Sequence, residues 1–289
     1  MRALIMAMFA SLLAACTPNL ATFDYLTPKD RGARQVVTGA SYGADARQRL
    51  DVYAPNGARD APVIVVFYGG SWANGARGEY RFAGAAFAAR GFVTVIPDYR
   101  LVPDVHFPAF VEDGAMALKW VTDHISEYGG DPSRIVLIGH SSGAYIGAML
   151  TLDQHYVRAA GVDPASIRGF GGIAGPYDFA PFRVKASIDA FGQSSDPAAT
   201  QPINFARRDA PPMLLLHGAK DQLVEPRNMF SLAERMRAQG AAAVEAKLYP
   251  GIGHINIMLA LSKPLRGKAP VLNDLTSFAA RVTKRGPVR

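Results

Sequence analysis

The sequence predicts an α/β fold: a mostly parallel central sheet of about eight strands with helices on both faces. Two patterns point to it. Continuous β-branched and aromatic runs, such as residues 63–68, suit strands buried on both faces of a parallel sheet. Between these runs lie Ala-rich or amphipathic stretches, and strands alternating with helices argue for a sheet covered on both sides. A chain of 289 residues, 49% hydrophobic and 19% charged, can fill such a core and is not a disordered chain.

Taken in order, residues 48–53 alternate polar and apolar, as a half-exposed strand does. Residues 63–68, 92–96, 135–138 and 213–216 are continuous apolar strands, and 244–249 is a further candidate. Residues 79–90 form an Ala-rich helix. Residues 110–128 carry Val111, Ala115, Leu118, Val121 and Ile125 at helical spacing. A helix-like segment fills 144–152. Pro226 opens a helix that runs to Gln239 and ends at Gly240, and 274–282 is the candidate last helix. Residues 175–208, Pro-rich and irregular, are the candidate for a small lid or cap. No internal repeat is present.

The start of the chain differs in kind. Met1-Arg2 precedes an uninterrupted run of apolar and small residues over 3–15, too short for a spanning helix of roughly 20 residues and suited to a secretory signal. The run ends in Leu13-Ala14-Ala15-Cys16, which resembles a bacterial lipobox. That resemblance implies a signal peptide over 1–15 and acylation at Cys16. Cys16 is the only cysteine, so it has no internal disulfide partner. Several acyl chains on one residue suffice for stable anchoring. Thr17 after the cysteine implies, by the same resemblance, the outer membrane, facing the periplasm or the cell surface. An ordinary signal peptide with a chance cysteine is the alternative. Residues 16–33 read as a polar tether, and the folded domain is expected over 34–289.

The formal charge of +7 admits nucleic acid or an anionic surface as partner. The basic residues are scattered, with Lys263, Arg266, Lys268, Arg281, Lys284 and Arg285 the nearest thing to a cluster. No basic repeat is interleaved with aromatics, so a solvated face is the plainer reading and no nucleic acid is expected. No metal-ligand spacing and no phosphate-binding loop is apparent, so no cofactor is expected.

The chemistry gathers after the strands, where ligands sit in open α/β sheets. Gly139-His140-Ser141-Ser142-Gly143 joins a strand to a helix. In this pattern the serine occupies a strained turn and the glycines let neighbouring elements approach, which lifts the hydroxyl clear of the sheet. Ser142 is the rival nucleophile, but only Ser141 has glycines two before and two after. The plainer reading is a Ser/Gly-rich turn without catalysis. A serine needs a base, and His254 follows the last strand in Pro250-Gly251-Ile252-Gly253-His254. His217 ends the strand before the acid and reads as ordering a loop. His106, His124, His140 and His155 sit in a loop, helices or the elbow. A carboxylate must hold the base. Asp221, just past the 213–216 strand, is the candidate, with Asp178 and Glu225 as alternatives and a loop-capping role as the plainer reading. For the oxyanion, backbone donors worth about 3 kcal/mol each are expected from Gly70, Ser71 and Ser142, with Gly69 still open. Trp72 and Tyr99 are candidates to line the substrate pocket, with a core role as the alternative.

Together these segments carry a family resemblance. Leu50-Asp51-Val52-Tyr53, Gly69-Gly70-Ser71-Trp72, Pro97-Asp98-Tyr99-Arg100-Leu101, Gly129-Gly130-Asp131-Pro132, residues 139–143, residues 217–221 and Gly253-His254 resemble α/β-hydrolase esterases. The branch is that of hormone-sensitive lipase, feruloyl and acetyl-xylan esterases and kynurenine formamidase, over about residues 40 to 285. The resemblance implies the α/β-hydrolase fold and a Ser141–Asp221–His254 triad acting on small-molecule or polysaccharide-linked acyl esters. Asp98-Tyr99-Arg100 and Phe107-Pro108 match positions that brace the site. One position departs: the family usually has His before the paired glycines, and this chain has Tyr68, which predicts an altered loop shape with activity kept. Amide or formamide hydrolysis, an inactive binding lipoprotein on the same scaffold, and envelope scaffolding are the other readings.

Overall fold

The computed structural model describes residues 20–284 apart from Ala242. Its strands are β1 (Ala33–Ser41), β2 (Arg49–Pro55), β3 (Ala61–Phe67), β4 (Val93–Pro97), β5 (Gly130–His140), β6 (Ile167–Ile173), β7 (Met213–Gly218) and β8 (Val244–Tyr249). They form one sheet in the order β1-β2-β4-β3-β5-β6-β7-β8. β1 and β2 are antiparallel to their neighbours, and the strands from β4 across to β8 are parallel. The helices are α1 (Leu20–Leu26), α2 (Arg81–Ala88), α3 (Ala109–His124), α4 (Ser142–Leu152), α5 (Gln154–Ala159), α6 (Lys185–Phe191), α7 (Arg227–Ala238), α8 (His254–Leu259) and α9 (Val271–Val282).

The register brings the active ends level. Phe67 at the end of β3 pairs with Gly139 of β5, Gly139 with Gly172 of β6, Ile173 with Leu216 of β7, and Gly218 with Tyr249 of β8. The loops that follow β3, β5, β7 and β8 therefore leave one edge side by side. The central strands supply the core: Val63, Ile64, Val65, Ile135, Val136 and Leu137 have no exposed surface.

β6 was not among the predicted strands, because Ile167-Arg168-Gly169-Phe170-Gly171-Gly172-Ile173 carries three glycines, which disfavour strands. Packing explains them. A Cβ at Gly169 would meet Phe278, and one at Gly171 would meet Leu275, both on α9. On the other face, Phe170 lies against Gly147 of α4. Successive residues of β6 thus face helices on opposite sides of the sheet, and glycine lets them come close.

The tether reading needs correction for residues 20–33. Residues 20–26 form α1, and β1 begins at Ala33. Asp24 has no exposed surface: its carboxylate accepts from the Phe82 N–H at 2.8 Å and from Arg81 Nε at 2.6 Å. It thereby caps α2 from outside, satisfying one of the N–H groups that a helix start leaves open, while Phe23 meets Phe82 edge to face at 5.6 Å. An irregular polar sequence concealed a long-range contact. Residues 1–15, read above as a signal peptide, and Cys16 and Thr17 lie outside the described residues. Among the described residues no helix is long and apolar enough to cross a membrane.

Removing the Asp24 carboxylate strands a buried N–H and a guanidinium that is partly exposed. Asp24→Ala is therefore expected to lower the unfolding free energy by about 2 kcal/mol, read as an earlier urea midpoint at unchanged slope. An unchanged midpoint would show that α1 contributes nothing to the fold.

Candidate active site

Ser141 stands between β5 and α4 with φ 53° and ψ −123°, a left-handed backbone held from both sides. Its N–H donates to Ile173 O at 2.9 Å and its C=O accepts from Tyr145 N at 3.1 Å. The flanking glycines have steric causes. A Cβ on Gly139 would lie 2.3 Å from Gly143 O, and one on Gly143 would lie 2.1 Å from Phe67 O. The elbow closes only because neither exists.

Two loops bring the partners. His254 is the first residue of α8, and its Nε2 lies 2.9 Å from Ser141 Oγ. Its Nδ1 lies 2.7 Å from Asp221 Oδ2. Asp221 Oδ1 accepts the N–H groups of Leu223 and Val224, each at 3.0 Å. Burial alone would raise the Asp221 carboxyl. The hydrogen bonds from His217, His254 and the Val224 N–H outweigh it and hold the group well below the usual carboxylate range. Ser141, His254 and Asp221 are thus in one hydrogen-bonded line, with Ser141 7% and His254 9% exposed. The alternative acids are elsewhere. Glu225 is exposed and pairs with Arg227, and the Asp178 N–H donates to Asn228 on α7.

The loop after β3 takes an unusual backbone. Gly70, Ser71 and Trp72 have φ of 144°, 56° and 58°. Gly70 O accepts from Ala73 N and Asn74 N, at 3.0 and 2.9 Å. A trans peptide sets its N–H opposite its C=O, so the Ser71 N–H points away from that turn. Gly69 is packed against Ser141: a Cβ there would lie 2.9 Å from Ser141 Cβ. Ser142 is the first residue of α4, where N–H groups have no partner within the helix and the dipole is positive.

Tyr68, in the position where the family usually has His, is buried beneath this loop. Its hydroxyl donates to Asp98 Oδ1 at 2.7 Å and accepts from Arg47 Nη2 at 2.9 Å. Arg47 also donates to Gly75 O at 2.9 Å, and Asp98 is paired with Arg77. Tyr99 does not line a pocket. It has no exposed surface, stacks on Tyr68 at 4.9 Å, and donates to Tyr68 O at 2.9 Å. The core alternative describes it. Trp72 is 5% exposed within an aromatic wall of Phe191 at 4.8 Å, Tyr145 at 5.5 Å, Phe110 at 6.1 Å and Phe179 at 6.2 Å. Phe179 and Phe191 belong to residues 175–208, which thus pack on the loop beside the nucleophile.

Two histidines were passed over as site residues. His140 Nε2 lies 3.0 Å from His254 O, fastening the elbow to the base's own backbone. Burial, then the neighbouring His254, push the His140 imidazole down to about 3. His217 Nε2 lies 3.1 Å from Asp221 Oδ2. The readable signal for His217 was a polar ring ending a continuous apolar strand four residues before the acid. Among the described residues no group of three His, Cys, Asp or Glu side chains is placed to hold a metal ion.

The sequence profile of the BD-FAE family matches residues 50–236. A probable isoprenylcysteine alpha-carbonyl methylesterase of Arabidopsis thaliana is 29% identical over 249 residues, 78% of this chain and 52% of that protein. Esterase LipC of Mycobacterium tuberculosis is 30% identical over 235 residues, 74% of this chain and 58% of that protein. The chain thus spans between half and three fifths of these relatives' lengths. Among solved structures, esterase B of Lactobacillus rhamnosis with a tributyrin phosphonate inhibitor matches at TM-score 0.80 and 18% identity, covering 97% of this chain and 94% of that one. At that identity the likeness carries the fold, which is that of α/β-hydrolases.

The buried His140 makes a pH prediction. An unfolded histidine takes up its proton near pH 6.5, whereas the folded one does so only at about 3. The stability it lends is therefore present above about pH 6.5 and is lost as pH falls from there towards 3. Between pH 7 and 5 the chain is expected to lose about 2 kcal/mol more stability than His140→Gln, which takes up no proton. Urea melts at the two pH values check this, and equal losses would refute it.

Proposed function

This chain belongs to the BD-FAE family, and from that premise we propose that it hydrolyses carboxylic esters through an acyl-enzyme on Ser141. The observation that carries the reading is the unbroken line from Ser141 Oγ through His254 to Asp221, at 2.9 and 2.7 Å, on a strained strand-to-helix turn. The esterase names of the relatives support it.

Ser141 Oγ attacks the carbonyl carbon while His254 Nε2 takes its proton. Asp221 stays ionised and stabilises the imidazolium so formed. The negative charge on the carbonyl oxygen is met by N–H groups of Gly70, Ser71 and Ser142, fixed in place before the reaction begins. When the tetrahedral intermediate collapses, the bond to the alcohol oxygen breaks and His254 returns the proton to it. Water then enters, gives its proton to His254, and releases the acid, and Ser141 Oγ recovers the proton. Trp72 and the aromatic wall behind it offer an apolar side to the substrate.

The proposal extends to location. The Leu13-Ala14-Ala15-Cys16 run supports lipidation at Cys16 and tethering to the bacterial envelope, with Thr17 favouring the outer membrane.

A fluorophosphonate probe is expected to label the chain and to miss Ser141→Ala; a folded chain that stays unlabelled would sink the enzyme reading. Asp221→Asn is expected to keep the fold and lower kcat on a p-nitrophenyl ester by about four orders of magnitude. A panel of acetyl-xylan, feruloyl esters and N-formylkynurenine then sorts the substrates. For the anchor, Cys16→Ser should move the chain out of the detergent phase, and unchanged partitioning would count against lipidation.

A further inference from the structure

Asp221 holds more than its bond to His254. A carboxylate offers about four acceptor positions, and four N–H groups lie around it here. Leu223 and Val224 take Oδ1, while His254 Nδ1 at 2.7 Å and His217 Nε2 at 3.1 Å share Oδ2. The tautomer of His217 follows from its other contact. Nε2 lies 2.8 Å from the Val224 carbonyl oxygen, which can only accept, so Nε2 carries the hydrogen. Its Nδ1 is buried without a hydrogen-bond partner among the described residues. The bonds close a ring. His217 donates to Val224 O with its Nε2 3.1 Å from Asp221 Oδ2, and the Val224 N–H donates back to Asp221 Oδ1. His217 lies within β7, paired in register with Leu248, so the ring hangs the carboxylate from the sheet.

We infer that His217 is a positioning residue of this site: it ties Asp221 to β7 so that Oδ2 stays on His254, and it draws off part of the charge that His254 would otherwise receive. The inference rests on the Ser141–His254–Asp221 reading above. His217 itself is a strand residue behind the acid, and its hydrogen bonds go to the acid and its loop.

Loss of this donor leaves the Val224 carbonyl unpaired and lets the carboxylate swing, which lowers kcat. It also concentrates negative charge on the His254 N–H. The imidazolium is then better stabilised, so the acid limb of kcat/KM moves to higher pH. The titratable groups facing His254 are Asp221, the His140 ring at 4.9 Å, and His217 through the shared carboxylate. His140 is untouched in the variants.

The test compares His217→Phe with His217→Gln, whose amide nitrogen reaches the place of Nε2. In the full chain, His217→Phe is expected to lower kcat about tenfold, keep KM within about twofold, and raise the proton affinity read from the acid limb about tenfold. His217→Gln is expected to recover most of each. Should His217→Phe not fold, His217→Asn takes its place, because its amide stands at Nδ1 and leaves Nε2 without a donor. An unchanged kcat and limb in the donor-less variant overturns the inference. So does equal damage in both variants with the limb in place, which marks packing alone, or a raised KM with kcat kept, which marks a pocket role. An NMR titration of His254 without substrate gives the second readout and should move to higher pH in the donor-less variant. Because it needs no turnover, a chain inactive on every ester fails the proposed function while His217 is still judged on this titration.

Discussion

Everything at the site depends on the absence of two side-chain atoms. Gly139 and Gly143 stand where a Cβ would enter the backbone of the facing segment, and only without those atoms can β5 turn into α4 against the end of β3. The turn forces Ser141 into a left-handed backbone that a non-glycine residue adopts at a cost of about 1–3 kcal/mol. Bonds to Ile173 and Tyr145 hold it there. The same contact brings the loop after β3 beside Ser141, so the serine hydroxyl and that loop's backbone are positioned by one packing event.

The partners arrive by a different logic. Asp221 lies on the loop after β7 and His254 at the start of α8, both far from the elbow in sequence, and the register of β6, β7 and β8 sets them level with it. A parallel sheet converts distance along the chain into adjacency at one edge. That is why three residues spread over 113 positions meet within hydrogen-bond reach.

This geometry also explains what was legible in advance. Ser141 and Asp221 each follow a strand whose apolar run is continuous, and His254 follows the alternating run of β8, so the strand announces the loop and the loop narrows the choice of residue. The helices α3 and α7 were visible from local signals, α3 by its apolar spacing and α7 by Pro226 at its start and Gly240 past its end. β6 was not, because its glycines are dictated by Phe278 and Leu275 on α9, which lie over a hundred residues downstream. β1 was missed because none of its residues is fully buried and its apolar residues form neither a long run nor an alternation. Asp24, His140 and His217 escaped because a buried polar residue is defined by its partner, and each partner lies in another element or beyond a turn. Propensity and period report on neighbours in sequence; these residues answer to neighbours in space.

The exchange at position 68 has a consequence for the range of conditions in which the donor loop keeps its shape. An imidazole beneath that loop gains or loses a charge in the middle of the physiological range. The phenol of Tyr68 does not: burial, and then the Asp98 carboxylate beside it, push its ionisation well above the usual tyrosine range. It stays an uncharged donor to Asp98 and an acceptor for Arg47 in acid and in mild alkali alike. The phenol beneath the loop after β3 therefore adds no charge change of its own across that range.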